Sequence, residues 1–343
     1  MELINWITAT SLCILPFLVV LIVASISYHE YIKSLGGRGI RLFASYFVPK
    51  RVLLFALYGV PISVTVLIVV GVVFFGLSSL PLISSSMLIL FYILGWVYIM
   101  RAKWETYCSA EEPVSTGGLD FVVCRDGPVN AWYDYWKKKI YISDKLLKIL
   151  SDEGLKAIYY HEEGHKKHRY LARLSLSITW TWLIFFSLAF TIFLITTFKI
   201  VNATLWDYLL LLVLLVSMAA SLSAISIVWN WINEHESDVY SVRKVGAKPL
   251  ITALIKLYVY GWLEKHGIYA YNAGVSLDLD VEAITRGLHK IEFTQILALL
   301  LKRSLHSALG VVRPTSIYEA PMPDTHPPLG YRIMVIWRFR VND

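Results

Sequence analysis

Five long apolar stretches alternate with polar segments along the chain, at residues 4–27, 52–77, 81–100, 174–198 and 205–232. Each is close to the roughly 20 residues that an α-helix needs to cross a bilayer core, so the pattern predicts five membrane helices. Pro61 falls inside the second stretch, where a kink is tolerated in lipid. The first stretch lacks a basic lead-in and a small-residue cleavage site, and it reads as a span, not a removable leader. Between the third and fourth stretches the period changes. The runs "LDFVVC" and "KIYI", set between the turn pairs Gly117-Gly118 and Asp126-Gly127, predict a small sheet. A helical pattern follows in "SDEGLKAIYYHEEGHKK", where Ser151 can cap and Asp152 and Glu153 suit the first turn. Beyond the fifth stretch, "PLITALIKLYVYGWL" and "VEAITRGLHKIEFTQILALLLKRSL" read as amphipathic helices.

The expected fold class is mainly α: polytopic membrane helices with a polar domain that contains a small β-sheet. Residues 1–100 would hold three membrane helices and a basic loop, and 101–173 the sheet and the helix after it. Residues 174–232 would form a membrane hairpin and 233–343 the helical remainder. Composition supports this. Of 343 residues 57% are hydrophobic and 17% charged, against about a quarter charged in soluble domains.

The net charge of +7 does not call for nucleic acid, because basic residues beside apolar spans set membrane orientation. Lys33, Arg38, Arg41, Lys50 and Arg51 lie in the first loop, opposed only by Glu30. That loop is expected in the cytoplasm, and alternation then puts 101–173 and 233–343 there too. Cys13, Cys108 and Cys124 show neither metal-ligand spacing nor a disulfide framework, and reduced thiols are expected.

The chemistry is concentrated in "HEEGH", His161 to His165. Residues i and i+4 of a helix share a face, so His161 and His165 can grip one Zn²⁺ while Glu162 takes a proton from water activated there. A hydrolytic zinc site needs a third protein ligand and an open position. "NWINEHESDVYSV" offers Glu234 as that ligand, with Asp238 one turn on to hold a ligand imidazole in its tautomer. His235 and Glu236 are expected to face solvent. Two spans separate His165 from Glu234, an even number, so both fall on one side of the membrane.

The ordered blocks "HEEGH", "NEHESD", "VGAKPLITALIKL" and "THPPLGYRI" resemble the M48 group of gluzincins, membrane zinc metallopeptidases that include HtpX and the CAAX prenyl proteases. The resemblance runs in scattered blocks from Val129 to Ile333. It implies a gluzincin-type domain with one catalytic zinc ion on His161, His165 and Glu234, with Glu162 as general base and Asp238 behind the ligands. It further implies that His326 lies close to the metal and assists the oxyanion, and that Arg332 serves the substrate. Asn130 and Ala131 match the start of a strand whose edge pairs with substrate backbone. The sequence departs from the pattern at Glu163, where an aliphatic residue is usual and either Lys166 or Lys167 pairs with it or the face is simply wetter, and at Trp132. Five spans match neither the four of typical HtpX nor the seven of the prenyl proteases. His168 reads as lying behind the ligands or exposed, not as a fourth ligand, Lys137, Lys138 and Lys139 as a basic face near headgroups, and Asp278, Asp280 and Glu282 as a helix start, not a calcium loop.

The expected function is an integral-membrane zinc endopeptidase acting at the cytoplasmic interface on membrane-associated or misfolded proteins. Its partners are protein or peptide substrates and the lipid bilayer, with no nucleic acid and with the oligomeric state left open. The alternatives are a processing enzyme for lipidated peptides, as in the CAAX prenyl proteases, and a zinc-stabilised scaffold without proteolysis.

Overall fold

The computed structural model describes residues 2–34, 108–135, 137–167, 205–270, 279–288, 290–312 and 326–341. In chain order these form helix α1 (Glu2–Ser34), strands β1 (Glu111–Thr116), β2 (Leu119–Cys124), β3 (Ala131–Asp134) and β4 (Lys139–Ser143), and then helices. The helices are α2 (Asp144–Ile149), α3 (Asp152–Lys167), α4 (Leu205–Val245), α5 (Ala247–Lys265), α6 (Val281–Arg286), α7 (Phe293–Val312) and α8 (Leu329–Val341). The described chain is mainly helical with one small mixed sheet.

Two compact units result. One comprises Met1–Ala102, Arg173–Trp229 and Glu292–Thr325, the other Lys103–Ala172, Asn230–Ile291 and His326–Asp343. In the first unit α1 packs on α7, with His29 meeting Phe293 edge-on at 6.0 Å between ring centroids. Ser223 of α4 donates to Ser307 of α7 at 3.0 Å. Among the described residues one stretch, Phe17–Ser34, is long and apolar enough to cross a membrane. It overlaps the first expected span, and the fifth, 205–232, is helical throughout. The expected spans at 52–77, 81–100 and 174–198 lie outside the described residues.

In the second unit the strands run in the order β1-β2-β4-β3. β1 and β2 form a hairpin whose two-residue turn is Gly117-Gly118, with φ of 58° and 79°. Positive φ at both central positions is what the twist of a two-residue hairpin demands, and glycine supplies it without steric cost. β2 and β4 are parallel, and β3 lies outermost, antiparallel to β4 with Ala131 opposite Ile142. Both expected strand runs are thus present. β2 and β4 are buried almost throughout, which fits their place at the centre of the sheet.

Helix α3 lies against β2, β3, β4 and α5. Ser151 Oγ accepts from Gly154 N at 3.3 Å, and Asp152 and Glu153 at the start and Lys166 and Lys167 at the end complement the helix dipole. Glu264 of α5 accepts from Lys145 at 2.7 Å and from the backbone of Val129 at 2.7 Å, tying α5 to the approach of β3. Asp280 caps α6 by accepting from Glu282 N and Ala283 N, the helix start that the acidic cluster predicts. The single amphipathic run expected there divides in two, because α6 ends at Gly287 and α7 begins only at Phe293.

The cysteine expectation is corrected. Cys108 and Cys124 form a disulfide with their Cα atoms 5.1 Å apart. Backbone hydrogen bonds continue the β1–β2 ladder past its end, from Ser109 N to Arg125 O and from Arg125 N to Ala110 O, and this brings Cys108 across to the buried end of β2.

Candidate metal centre

The centre lies where α3 crosses α4 in the second unit, and the crossing depends on one missing side chain. A Cβ on Gly164 would lie 2.8 Å from Ser237 Cα and 3.2 Å from Ser237 O. Only glycine lets the backbones approach this closely. Ser241 fastens the same crossing by donating to Ala157 O at 2.7 Å.

With the helices in contact, the rings of His161 and His165 stand edge to face, 4.8 Å between centroids, with Nε2 atoms 3.2 Å apart. Glu234 comes from α4 to meet both. Its Oε2 is 3.5 Å from His161 Nε2 and its Oε1 3.3 Å from His165 Nε2. The three donor atoms lie within 4.8 Å of one another, and all three side chains are buried.

The second nitrogen of each ring is addressed from α4 as well. Asp238 Oδ1 is 2.9 Å from His161 Nδ1. Ser237 Oγ and Asn233 Nδ2 are 3.0 Å and 3.3 Å from His165 Nδ1. Asn233/Ser237 and Glu234/Asp238 are two pairs four residues apart, each presenting one face of α4 to the histidines. A proton held at Nδ1 leaves the Nε2 lone pair free for a metal. Sequence reasoning found the Glu234/Asp238 pair and missed Asn233 and Ser237, although the same four-residue spacing marks them.

Arg332 of α8 is buried, and its fork grips Asp238 with Nε to Oδ2 at 2.9 Å and Nη2 to Oδ1 at 2.6 Å. Its Nη1 lies 3.3 Å from Glu234 Oε2. The resemblance implies a substrate contact for Arg332; the contacts it makes here are with the carboxylates of the centre and with His161, whose Nε2 lies 3.4 Å from its Nη2. His326 is exposed, and its Nε2 is 3.7 Å from Glu234 Oε1. Glu162 is buried beside His161. Asn130, just before β3, exchanges backbone contacts with Ser143, donating to its Oγ at 3.3 Å and accepting from its N at 3.0 Å. Ala131 is buried.

Two expectations change. His235 is fully buried, not solvent-facing, because α4 is enclosed on nearly every side from Trp231 to Val242. Burial, only partly opposed by Asp238, brings its imidazole down to about 4, so it is neutral. Glu163 accepts from the Tyr240 hydroxyl at 3.1 Å, a partner from α4 where the sequence left a lysine pair or a wetter face open; His168 lies outside the described residues.

These residues fit a divalent cation. Two imidazoles and one carboxylate are the protein donor set of a hydrolytic zinc site. Oε2 of Glu234 is buried and accepts no hydrogen bond; the approach of Arg332 to it is a charge contact without hydrogen-bond geometry.

The electrostatics carry the same signature. Burial pushes His161 down, but its bond to Asp238 and the neighbouring Glu234 carboxylate outweigh it and hold the metal-free imidazole up at about 10. Burial pushes Asp238 up, and Arg332 and His161 outweigh it, bringing the carboxyl to about 2. Glu234 is held well below the usual carboxylate range, against its burial, by His165, His326 and Arg332. In the metal-free protein Asp238 therefore contributes stability present above its ordinary 3.8 and lost as pH falls toward 2. His161 contributes stability present below its ordinary 6.5 and lost as pH rises through about 10. A cation must displace that proton, so its binding strengthens as pH rises.

The sequence profile described as Peptidase family M48 matches residues 103–338, well over half of the chain. No curated protein and no solved structure matches it.

Proposed function

The chain belongs to peptidase family M48, a family of metallopeptidases that are generally zinc-dependent, and from that premise we propose that it is an integral-membrane zinc endopeptidase acting on membrane-associated or misfolded proteins. The observation that carries the reading is the convergence of His161, His165 and Glu234 beside Glu162. Held by those three side chains, zinc supplies a Lewis acid that polarises a carbonyl and brings water toward ionisation at neutral pH. Glu162 accepts the proton of the attacking water and passes it to the leaving amine. Asp238 and Ser237 keep the two rings in the tautomer that presents Nε2, and Arg332 holds Asp238. His326, at the exposed side of Glu234, donates to the oxygen that gains charge. Asn130 and Ala131 open the outer strand, along which an extended peptide adds by main-chain pairing.

Purified in detergent, stripped of metal and titrated with zinc, the protein should bind one ion per chain. Its affinity should rise about tenfold per pH unit on the acid side of the His161 titration, because one proton is displaced. Casein should be cut only by the zinc-loaded form. A zinc-loaded protein that hydrolyses neither casein nor itself would leave the peptidase reading without support and favour a scaffold.

The basic first loop favours a cytoplasmic centre. A second reading, the centre on the outer face, is favoured by the Cys108–Cys124 bond, since disulfides persist in oxidising compartments. A tag after residue 343, probed in intact cells with an impermeant protease, separates them. Protection is the expected result, and digestion decides for the outer face.

A further inference from the structure

One row of residues crosses all four strands at the same level. Pro113 stands opposite Val122, Val122 opposite Tyr141, and Tyr141 opposite Trp132. Residues in register across a sheet share a face, and Trp132 packs on the buried cluster of Val122, Cys124 and Tyr141. Ala131 and Tyr133 fall on the other face and are buried, whereas Trp132 is half-buried.

The indole is held in place. It stacks on the Tyr141 ring, with centroids 5.3 Å apart and planes 5° from parallel. Tyr141 is itself fully buried. Its hydroxyl donates to Glu111 Oε2 at 2.9 Å, and Lys137 Nζ lies 5.4 Å from its ring centroid. Glu111 Oε1 accepts from that same lysine at 2.7 Å. A ring fixed in this way loses little freedom when a second group covers it.

Among the described residues no strand pairs with the outer edge of β3. A peptide added there would lie about 4.8 Å away and continue the row by one residue, whose side chain projects on the Trp132 face beside the indole. The residues before and after it alternate to the other face. An aromatic ring at that position extends the stack of Tyr141 and Trp132, and a large aliphatic chain covers the apolar surface that the indole leaves open. A small or acidic side chain does neither.

We infer that Trp132 is a specificity-determining residue, selecting an aromatic or large aliphatic side chain at the one substrate position opposite it on the outer strand. The inference rests on the peptidase reading, with strand addition at β3, and names the substrate class. Substrates are extended segments with a large apolar residue at a fixed number of residues from the cut bond.

The test is cleavage of a proteome-derived peptide pool by the zinc-loaded wild type, Trp132→Phe and Trp132→Ala, read by mass spectrometry. An aromatic pair is worth about 2- to 10-fold in affinity. Wild type should favour phenylalanine, tyrosine, tryptophan and leucine at one position by about that factor. Trp132→Phe should keep the preference, and Trp132→Ala should lose it there and nowhere else. For one peptide taken from the pool, KM should rise in Trp132→Ala with kcat nearly unchanged, and replacing the selected residue by alanine should add little to that rise. Should Trp132→Ala lose its zinc or its fold, Trp132→Leu keeps Tyr141 covered and is expected to give up the aromatic preference alone. A preference retained without the indole, lost equally at every position, or absent from the wild type would overturn the inference. A wild type that cuts no peptide in the pool would overturn the peptidase reading itself, and this inference with it.

Discussion

Glu162→Gln should bind zinc as the wild type does and cleave casein at least about a hundredfold more slowly, since a positioned general base contributes roughly 10²- to 10⁴-fold. The amide has nearly the volume and shape of the carboxylate, so the buried position beside His161 stays filled. None of the three donor atoms is touched. What is lost is the capacity to take a proton from water. Metal content and turnover, measured on one preparation, therefore separate two roles that most active-site variants confound. Equal turnover in the two proteins would mean that Glu162 is not the base.

Gly164→Ala should have the opposite signature and lose the metal. The added methyl has no free volume, because it would press on Ser237 Cα and the Ser237 carbonyl oxygen, which are backbone atoms. A flexible side chain could move aside; a helix backbone cannot. α3 and α4 must part, at an overpacking cost of about 1–3 kcal/mol. The parting also draws His161 and His165 away from Glu234, so zinc affinity should fall by far more than global stability does. Thermal unfolding with and without zinc checks this. The variant should give up most of the stabilisation that zinc confers on the wild type while unfolding only a few degrees earlier in the metal-free form. A variant stabilised by zinc as fully as wild type would show that the crossing has slack.

Much of this centre is legible in the amino-acid sequence because helical spacing is a local property. His161 and His165, and Glu234 and Asp238, each stand four apart, so the face they share follows from 3.6 residues per turn. The runs that became β2 and β4 announce themselves by composition and by the turns around them. What was not legible depends on contacts between distant segments. That His235 is buried follows from how completely α4 is enclosed, which no spacing reveals. The Cys108–Cys124 bond escapes for a related reason. A hairpin turning at Gly117-Gly118 sets Glu111 opposite Cys124, and Cys108 comes near only because the chain keeps pairing beyond the strand. The bond from Tyr240 to Glu163 joins residues 77 apart, so the helix alone offered only a nearby lysine or a wetter face. Gly164 was visible as a residue, but its purpose became clear only with Ser237 against it.

The buried groups at the α3–α4 crossing have one further consequence. Glu162, Glu234 and Asp238 carry three negative charges and Arg332 one positive, so −3 + 1 leaves −2 when the imidazoles are neutral. A divalent ion brings that enclosure to electroneutrality, which a monovalent ion would not do. Emptied of metal, the same enclosure is partly compensated by the proton on His161, held up at about 10. The ion and the His161 proton thus compete for one enclosure, so stripping and reloading the protein is expected to be reversible, with acid as the natural way to unload it.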